Sequence, residues 1–386
     1  MPTSPPNSAN ARRPGRRPSP AVLLALALAA TLYLGGPGRA DVPATRQGAV
    51  HDGRKAQMLG GLTVTAQEAE GAAGPELLAS VDMVADLTMG PGVWTLYVEG
   101  NTSPQADGVV TRVPAANADA GTALDAEGKG RLQVSELYYS LRAGRWLTIA
   151  GLLDPTSHLD RSAVANDETT QFLAAPLVNN PAIPFPDYTL GAAAHRDHTG
   201  GWLPGWTFLV TGSHGLANQP ERSYAELFDL DEPGEGAFVA AQAYWQGASG
   251  ALRLGGWAQS ERQPRQDSAA GKVRNAGAYG VADWTGIDGI RLNLRAGWAR
   301  PAANRVRGFL GLSGDYRLGA ATLGAGLTRS WVTDRRDRPG NTGEQAEAYL
   351  RWPVRANGHL TPHLQWLDPA HGPARWIAGA RSTWTF

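Results

Sequence analysis

Ten polar side chains recur at positions from which they could bind a polar solute, and they fall into two groups. One group consists of arginines and glutamates within strand-like segments, and the other of Asp, His and Asn side chains in a long stretch that contains several prolines. Guanidinium groups donate paired hydrogen bonds and carboxylates accept them, so both suit pairs of hydroxyl groups. We predict solute-binding roles for Glu136, Asp154, His158, Asp160, Asn180, Arg291, Arg295, Glu347, Arg351 and Arg381.

The segments that carry the arginines and glutamates alternate between apolar and polar residues. Leu292 and Leu294 occupy one face of such a segment, while Arg291 and Arg295 occupy the other. An arginine facing lipid near mid-membrane would cost roughly 2–4 kcal/mol, so we assign the leucines to lipid and the arginines to a polar interior. The same sorting directs the polar residues of two later segments inward: Gln345, Glu347, Tyr349, Arg351, His359, Thr361, His363 and Gln365.

The last thirteen residues of the chain form a further alternating segment. Trp376, Trp384 and the terminal Phe386 share one face, whereas Arg381 and Thr383 share the other. In a soluble protein the tryptophan face would need a core partner, but in a membrane barrel lipid covers it. The final aromatic residue favours the membrane barrel.

Alternating segments of this kind, separated by Gly, Pro, Asp and Asn, recur along residues 57–386. We therefore predict an all-β fold, a transmembrane antiparallel barrel of about sixteen strands. A barrel of about this size encloses a water-filled channel. The predicted strands cover residues 57–68, 76–88, 92–99, 131–141, 145–152, 187–196, 205–214, 236–247, 250–260, 276–284, 289–299, 307–317, 320–333, 343–352, 358–367 and 374–386.

The N-terminal region resembles an export signal. Several arginines precede an apolar run from Ala21 to Leu34, and small residues follow up to Ala40. The run is shorter than the roughly 20 residues of a membrane-spanning helix. We predict a signal peptide over residues 1–40, a periplasmic lead-in over 41–56 and a barrel domain over 57–386, with an uncleaved anchor as the alternative. Export on the general secretory route, together with the predicted membrane barrel, places the protein in the outer membrane of a Gram-negative cell.

Composition narrows the possible partners and chemistries. The chain has no cysteine, and its 35 basic and 35 acidic residues leave no net charge. Disulfides and thiolate chemistry are thereby excluded, and the absence of a basic tract argues against binding of nucleic acid. His359 and His363 share a strand face, but they lie four residues, or two pleats, apart, so we predict no metal site there and no cofactor.

Two long stretches interrupt the alternation. Residues 101–130 are rich in Asn, Ala, Gly and Asp, and we predict a surface loop there. Residues 153–186 contain several prolines together with residues of the buried type. We predict that this second stretch folds into the lumen and constricts it.

Several motifs, in order along the chain, resemble the carbohydrate-selective porins of the OprB type. They are Glu-Leu-Tyr-Tyr at 136–139, Leu-Thr-Ile-Ala-Gly-Leu-Leu-Asp-Pro at 147–155, Asn-Asn-Pro-Ala-Ile-Pro-Phe-Pro at 179–186, Glu-Ala-Tyr at 347–349, and 360–366 followed by Asp-Pro at 368–369. The resemblance implies diffusion of monosaccharides such as glucose across the outer membrane. It also implies contact with outer-membrane lipid, lipopolysaccharide and the barrel-assembly machinery, with single barrels and homotrimers both open.

Two other functions compete with sugar passage. An arginine-lined lumen also suits a general porin or one that prefers anions and organic acids. Some outer-membrane barrels are hydrolases, but the chain has no Gly-x-Ser-x-Gly motif. Ser213 and His214 are adjacent, so in a strand their side chains point to opposite faces. We therefore predict a channel without catalytic activity.

Overall fold

The computed structural model describes residues 55–228, 236–267, 269–334 and 341–386, and in it sixteen antiparallel strands close into one barrel. Each strand pairs with its neighbours in the chain, and β1 pairs with β16, so the predicted fold and strand number are confirmed. The predicted signal peptide and most of the lead-in lie outside the described residues. The strands are β1 (Ala56–Ala69), β2 (Glu76–Met89), β3 (Gly92–Asn101), β4 (Leu132–Ala143), β5 (Trp146–Leu153), β6 (Thr189–Arg196), β7 (Gly205–Gly212), β8 (Ala237–Gly247), β9 (Gly250–Pro264), β10 (Lys272–Ile287), β11 (Ile290–Ala299), β12 (Val306–Leu318), β13 (Ala321–Val332), β14 (Thr342–Arg355), β15 (Gly358–Asp368) and β16 (Arg375–Thr385).

The barrel closes at the C-terminal aromatic residue. Gly60 N donates to Phe386 O at 2.9 Å, and Phe386 N donates to Gly60 O at 3.0 Å. The Phe386 ring lies over Gly60, where a Cβ atom would come within 2.2 Å of a ring carbon. Only glycine leaves room for the ring at this position, so the first strand accommodates the last residue.

The two ends of the barrel differ in the length of their connections. One end has mostly short turns, such as those between β2 and β3 and between β12 and β13, and the other has long loops. Glycines with positive φ occupy several of the short turns: Gly90, Gly144, Gly289 and Gly319. Short turns face the periplasm in outer-membrane barrels, and we call the two ends the short-turn end and the long-loop end.

The two faces of the strands divide as the alternation predicts. Leu294 and Trp298 on β11 are 48% and 55% exposed, whereas Asn293 and Arg295, on either side of Leu294, are each 2% exposed. Large apolar side chains therefore cover the outside, and polar side chains point inward. Among the described residues, no helix is long and apolar enough to cross a membrane.

Two loops from the long-loop end fold into the barrel. The first loop, residues 102–131, contains the short helix α1 (Val109–Arg112), and the second loop, residues 154–188, contains α2 (Ala175–Val178). The predicted infolding of the second loop is confirmed. The prediction of a surface loop at 101–130 is wrong, because Ala116 is fully buried and its carbonyl accepts hydrogen bonds from Gln67 and Gln365 of the barrel wall.

Candidate functional site: the lumen

One side of the lumen is apolar. The inner faces of β5 to β10 pack against Leu159, Ile183 and Phe185 of the second loop. Phe238 stacks on Trp257, with ring centroids 6.0 Å apart, and its ring centroid lies 6.4 Å from that of Phe185. We call this side the apolar wall: Leu147, Ile149, Leu153, Ala193, Leu209, Phe238, Ala240, Trp257, Tyr279 and Val281.

The other side of the lumen is polar. The inner faces of β1, β14, β15 and β16 carry amides, hydroxyls, a carboxylate and guanidinium groups, most of them buried beneath the two loops. These side chains bond mainly to loop backbone. We call this side the polar wall: Thr63, Thr65, Gln67, Gln345, Glu347, Arg351, Thr361, His363, Gln365, Arg381 and Thr383.

Arg295 on β11 joins two separate parts of the second loop. Its guanidinium donates to the carbonyls of Leu177 and Val178 at 2.9 and 3.0 Å, and to those of Asp160 and Ala165 at 3.0 and 2.8 Å. Its Nε also lies 3.1 Å from Asp160 Oδ2. With a side chain only 2% exposed, Arg295 is a structural tie between the loop and the wall.

Three further predicted residues, all on the polar wall, bind loop backbone. Glu347 accepts from the backbone N–H groups of Leu173 and Ala174, at 2.9 and 2.6 Å to one oxygen. Arg381 donates to the carbonyls of Glu168 and Gln171, and Arg351 donates to that of Thr170 at 3.2 Å. The charged groups thus satisfy loop backbone that would otherwise be buried without partners.

Glu136 and the loop residues Asp154 and Asn180 also form local structure. Glu136 Oε1 accepts from Asp154 N at 2.9 Å, and the Asp154 carboxylate accepts from Thr156 N at 2.9 Å to begin a 3₁₀ turn. Asn180 N donates to Asp160 Oδ2 at 3.1 Å, and Asn180 Nδ2 donates to Ala296 O at 3.1 Å. The loop residues are therefore held in place by one another and by the wall.

His158 lies near the short-turn end of the apolar wall, deep within the barrel. Its Nδ1 is 3.1 Å from His195 Nε2, and His195 Nδ1 is 3.1 Å from Thr207 Oγ1. Burial, the neighbouring His195 and the charge of Arg161 lower the pKa of His158 well below its usual value. His158 is therefore neutral near pH 7.

Arg291, like Arg351, is partly exposed, in contrast to the buried Arg295 and Arg381. Its side chain is 39% exposed and pairs with Asp315, with Nε donating to Oδ1 at 2.9 Å. It therefore keeps access to the lumen, while Arg295 and Arg381 do not.

The structure brings the ten residues together only in small sets. Asp160, Asn180 and Arg295 meet, as do Glu136 and Asp154, while Glu347, Arg351 and Arg381 hold one stretch of the loop. Whether any of them contacts a solute stays a prediction. Sequence reasoning missed the amides of Gln67, Gln345 and Gln365 as loop anchors, although alternation along their strands placed the last two inward.

The first loop has its own polar anchor near β2. Ser80 Oγ donates to Asp119 Oδ2 at 2.6 Å, and Asn117 Oδ1 accepts from Asp119 N at 3.1 Å. Burial, with the charge of Asp82 nearby, raises the pKa of Asp119 to about 7. Within the described ranges, no group of three or more His, Asp or Glu side chains could hold a metal ion.

Solved structures of porins share this architecture. OprB of Pseudomonas putida superposes with a TM-score of 0.68 at 14% identity, covering 86% of this chain and 94% of that one. A mutant of the Rh. blastica porin gives 0.53 at 13% identity over 86% and 100% of the two chains. A loop-deletion mutant of OmpT, an outer membrane protein of Vibrio cholerae, gives 0.55 at 11% identity over 86% and 99%. At these identities the likeness is one of fold.

Sequence comparisons extend over less of the chain. No family model matches it. An uncharacterized protein of Aquifex aeolicus is 43% identical over 67 residues, which is 17% of this chain and 22% of that protein. The closed sixteen-stranded barrel, its apolar exterior and its likeness to solved porins together show that this chain has the fold of an outer-membrane porin and resembles OprB in that fold.

Proposed function

We propose that this protein is a porin through which monosaccharides or related small carbohydrates diffuse. The observation that carries the proposal is a closed barrel in which two inward-facing guanidinium groups, those of Arg291 and Arg351, stay partly exposed beside the infolded second loop. A permeating sugar exchanges hydration for hydrogen bonds that must be weak enough to break again. Guanidinium groups that remain partly exposed can form such bonds with pairs of hydroxyl groups. The ordered motifs and the fold likeness to OprB support the same assignment.

Within this proposal the ten predicted residues divide into two roles. Arg291 and Arg351 keep partly exposed side chains and contact the solute directly. The remaining eight shape the constriction, because they hold the second loop or belong to it. Transport needs no bond-breaking chemistry from any of them.

The cellular context also belongs to the proposal. The protein is exported by its signal peptide into a Gram-negative outer membrane, is folded by the barrel-assembly machinery, and contacts phospholipid and lipopolysaccharide. A homotrimer and a single barrel both agree with the apolar exterior. A general or anion-preferring porin is the second candidate, favoured by the arginines that face the lumen.

Planar-bilayer recordings of the refolded mature protein test the sugar proposal. The current is recorded while glucose is added to the wild type, to Arg291→Ala and to the control Arg274→Ala, chosen because Arg274 is exposed near the start of β10. We expect saturable block of the current by glucose, weakened in Arg291→Ala and unchanged in the control. A current that glucose never blocks would overturn the carbohydrate assignment, and absence of any current would overturn the open channel.

A further inference from the structure

A groove of about 540 Å³ crosses the lipid-facing surface of the barrel on β4 to β7, and we call it the outer groove. Its floor consists of small side chains on β5 and β6, and larger side chains of the flanking strands form its sides. The lining includes Ala150, Ala192 and Ala194 on the floor and Tyr139, Leu141, Phe208 and Val210 on the sides. The hydroxyls of Thr148 and Tyr139, which also line it, donate to backbone carbonyls at 3.2 Å. The outer groove therefore offers mainly apolar contacts.

The outer groove is closed toward the long-loop end and open toward the short-turn end. Leu152 and Leu190 continue the outward faces of β5 and β6, and they pack in one cluster with Leu216 of the loop between β7 and β8. Leu152 is only 6% exposed on this otherwise lipid-facing surface. At the other end β5 and β6 reach their short turns, which face the periplasm. The open end of the groove therefore lies at the periplasmic boundary of the membrane.

Arg196 stands at the open end. It is the last residue of β6 and shares the outward face with Ala194 and Ala192, over about 13 Å of strand. Trp146 and Trp206 are its register partners on the neighbouring strands, and tryptophans mark the membrane boundary. The Arg196 guanidinium is partly exposed and forms no hydrogen bond or ion pair with any residue that the structure describes. At this boundary it can reach lipid headgroups.

The turns beside Arg196 carry an excess of positive charge. Arg142 pairs with Asp197 at 2.7 Å, and Arg145 donates to the backbone carbonyl of Asp197 at 2.9 Å. Asp197 is the single carboxylate in the two turns that join β4 to β5 and β6 to β7. It can neutralise one of the three arginines, so two positive charges remain beside an apolar groove. Basic positions next to an apolar membrane surface favour anionic lipid headgroups.

We propose that the outer groove binds one phospholipid of the periplasmic leaflet, with an acyl chain over Ala192 and Ala194 and an anionic phosphate at Arg196. A second barrel would bring an apolar surface to the groove and leave the guanidinium without a counter-charge. The periplasmic position of the open end favours a phospholipid over the lipopolysaccharide of the opposite leaflet. The proposal rests on the barrel and its place in the outer membrane, and it holds whichever solute passes through the lumen.

Native mass spectrometry of the refolded, detergent-solubilised protein tests the phosphate site. Phosphatidylglycerol is titrated into the wild type, Arg196→Gln and the matched control Arg317→Gln, because Arg317 is also exposed at the short-turn end but lies on β12. We expect saturable binding of one lipid per barrel, weakened roughly ten- to hundredfold in Arg196→Gln, as loss of hydrogen bonds to a charged group predicts, and unchanged in the control. Absence of saturable binding, or equal binding by Arg196→Gln, would overturn the proposal.

A second pair of variants tests the apolar part of the groove. Ala194→Leu fills the floor, whereas Ala325→Leu adds the same bulk to an exposed alanine on β13. We expect weaker binding of phosphatidylglycerol in Ala194→Leu alone. Diacylglycerol with the same acyl chains should bind less tightly than phosphatidylglycerol, because it lacks the phosphate. Equal binding of these two lipids would overturn the role of the phosphate, and undiminished binding in Ala194→Leu would overturn the role of the groove.

Thermal unfolding separates a lipid site from a structural role. Without lipid, Arg196→Gln should unfold at the wild-type temperature, since no bond to another described residue is lost. Phosphatidylglycerol should stabilise the wild type more than this variant. A lower unfolding temperature of Arg196→Gln without lipid would overturn the proposal in favour of a structural role.

The remaining occupants of the groove are distinguished by the same preparations. Tighter binding of lipid A than of phosphatidylglycerol would assign the groove to lipopolysaccharide. Oligomers that hold no lipid and dissociate in Ala194→Leu would assign it to a second copy of the chain. Either result would overturn the phospholipid site and leave the proposed transport of carbohydrates untouched.

Discussion

The apolar wall and the polar wall hold the same second loop by different means. Along β5 to β10, loop side chains such as Phe185 and Ile183 pack on aromatic and aliphatic residues. Along β14 to β16, wall side chains bond to the loop backbone, as Glu347 does to Leu173 and Ala174. Apolar burial is non-directional, whereas hydrogen bonds require defined positions. The apolar wall therefore holds the second loop against the barrel, and the polar wall fixes the position of the loop backbone along the strands.

The polar wall also explains how the buried backbone groups of the loops find hydrogen-bond partners. A loop without regular structure leaves its N–H and C=O groups unpaired, and it can enter a protein interior only where side chains satisfy them. The Gln, Glu and Arg side chains of the polar wall do so for both loops. A wall with only apolar side chains could not have accepted these loops.

The largest effect is expected where the two kinds of attachment meet, at Arg295. Arg295→Gln removes the ion pair with Asp160 and most of its bonds to loop carbonyls, so we expect a loss of about 3–5 kcal/mol in unfolding free energy. Urea unfolding in detergent measures this loss of unfolding free energy. We also expect the single-channel current of Arg295→Gln to be noisier than that of the wild type. Arg291→Gln on the same strand is the control, with a cost of about 0–1 kcal/mol for its more exposed pair. Equal losses of unfolding free energy in Arg295→Gln and Arg291→Gln would contradict the role of Arg295 as a structural tie between the second loop and the barrel wall.

Phe238 on the apolar wall tests attachment by packing. Its side chain is fully buried between Trp257 and Phe185, so Phe238→Ala should cost about 3–5 kcal/mol. Val239→Ala, on the adjacent lipid-facing position, is the control because Val239 is 44% exposed. Thermal unfolding of both variants measures the difference. A similar cost for the two would mean that the second loop does not depend on this wall.

Acid should loosen the apolar side first, through His158. Its pKa is lowered in the folded state, so below about pH 6.5 the unfolded chain binds the proton more readily and the docked loop loses stability as pH falls. The neighbouring His195, 3.1 Å away, and the positive charge of Arg161 add to the effect. Limited proteolysis of the loop between pH 7.5 and 5 measures it.

The variant that tests this pH dependence is His158→Leu. Its control is His371→Leu, because His371 is exposed. Burial raises the pKa of Asp119 to about 7, so this carboxyl group makes the protein less stable as pH rises through about 7. This trend is opposite to that of His158 and is present in both variants. The difference between His158→Leu and His371→Leu therefore reports on His158 alone. If proteolysis of the loop in His158→Leu still increased on acidification as it does in the wild type, protonation of His158 would not be its cause.

The smallest effect is expected at a single amide of the polar wall. Gln67 Nε2 donates to Ala116 O at 3.1 Å, but Gln365 Nε2 donates to the same oxygen at 2.9 Å. Gln67→Ala leaves this carbonyl one donor but removes the acceptor of Asn117 Nδ2, so it should cost about 1–3 kcal/mol. The double variant with Gln365→Ala should cost more than the sum of the two, because the carbonyl then has neither donor. Additive losses in a double-mutant cycle would show that the two amides act independently.

The sequence by itself determined the sixteen strands, their faces and the infolding of residues 153–186. These features follow from local rules: a period of two assigns each side chain to a face, and glycine, proline and asparagine end the strands. The terminal segment up to Phe386 closes the barrel against Gly60, as an alternating, aromatic-ended strand can do. None of these inferences needed contacts between distant residues.

Only the tertiary structure decided where residues 101–130 lie and what the inward-facing charges do. The first loop has the composition of a surface loop, yet Gln67, Gln345 and Gln365 draw its backbone into the barrel. Arg291 and Arg295 occupy equivalent positions in the alternation, but only Arg295 binds loop carbonyls. The second loop passes the barrel wall at the level of Arg295 and does not pass it at the level of Arg291. Alternation assigns a side chain to the lumen; which groups it meets there depends on chain segments more than one hundred residues away.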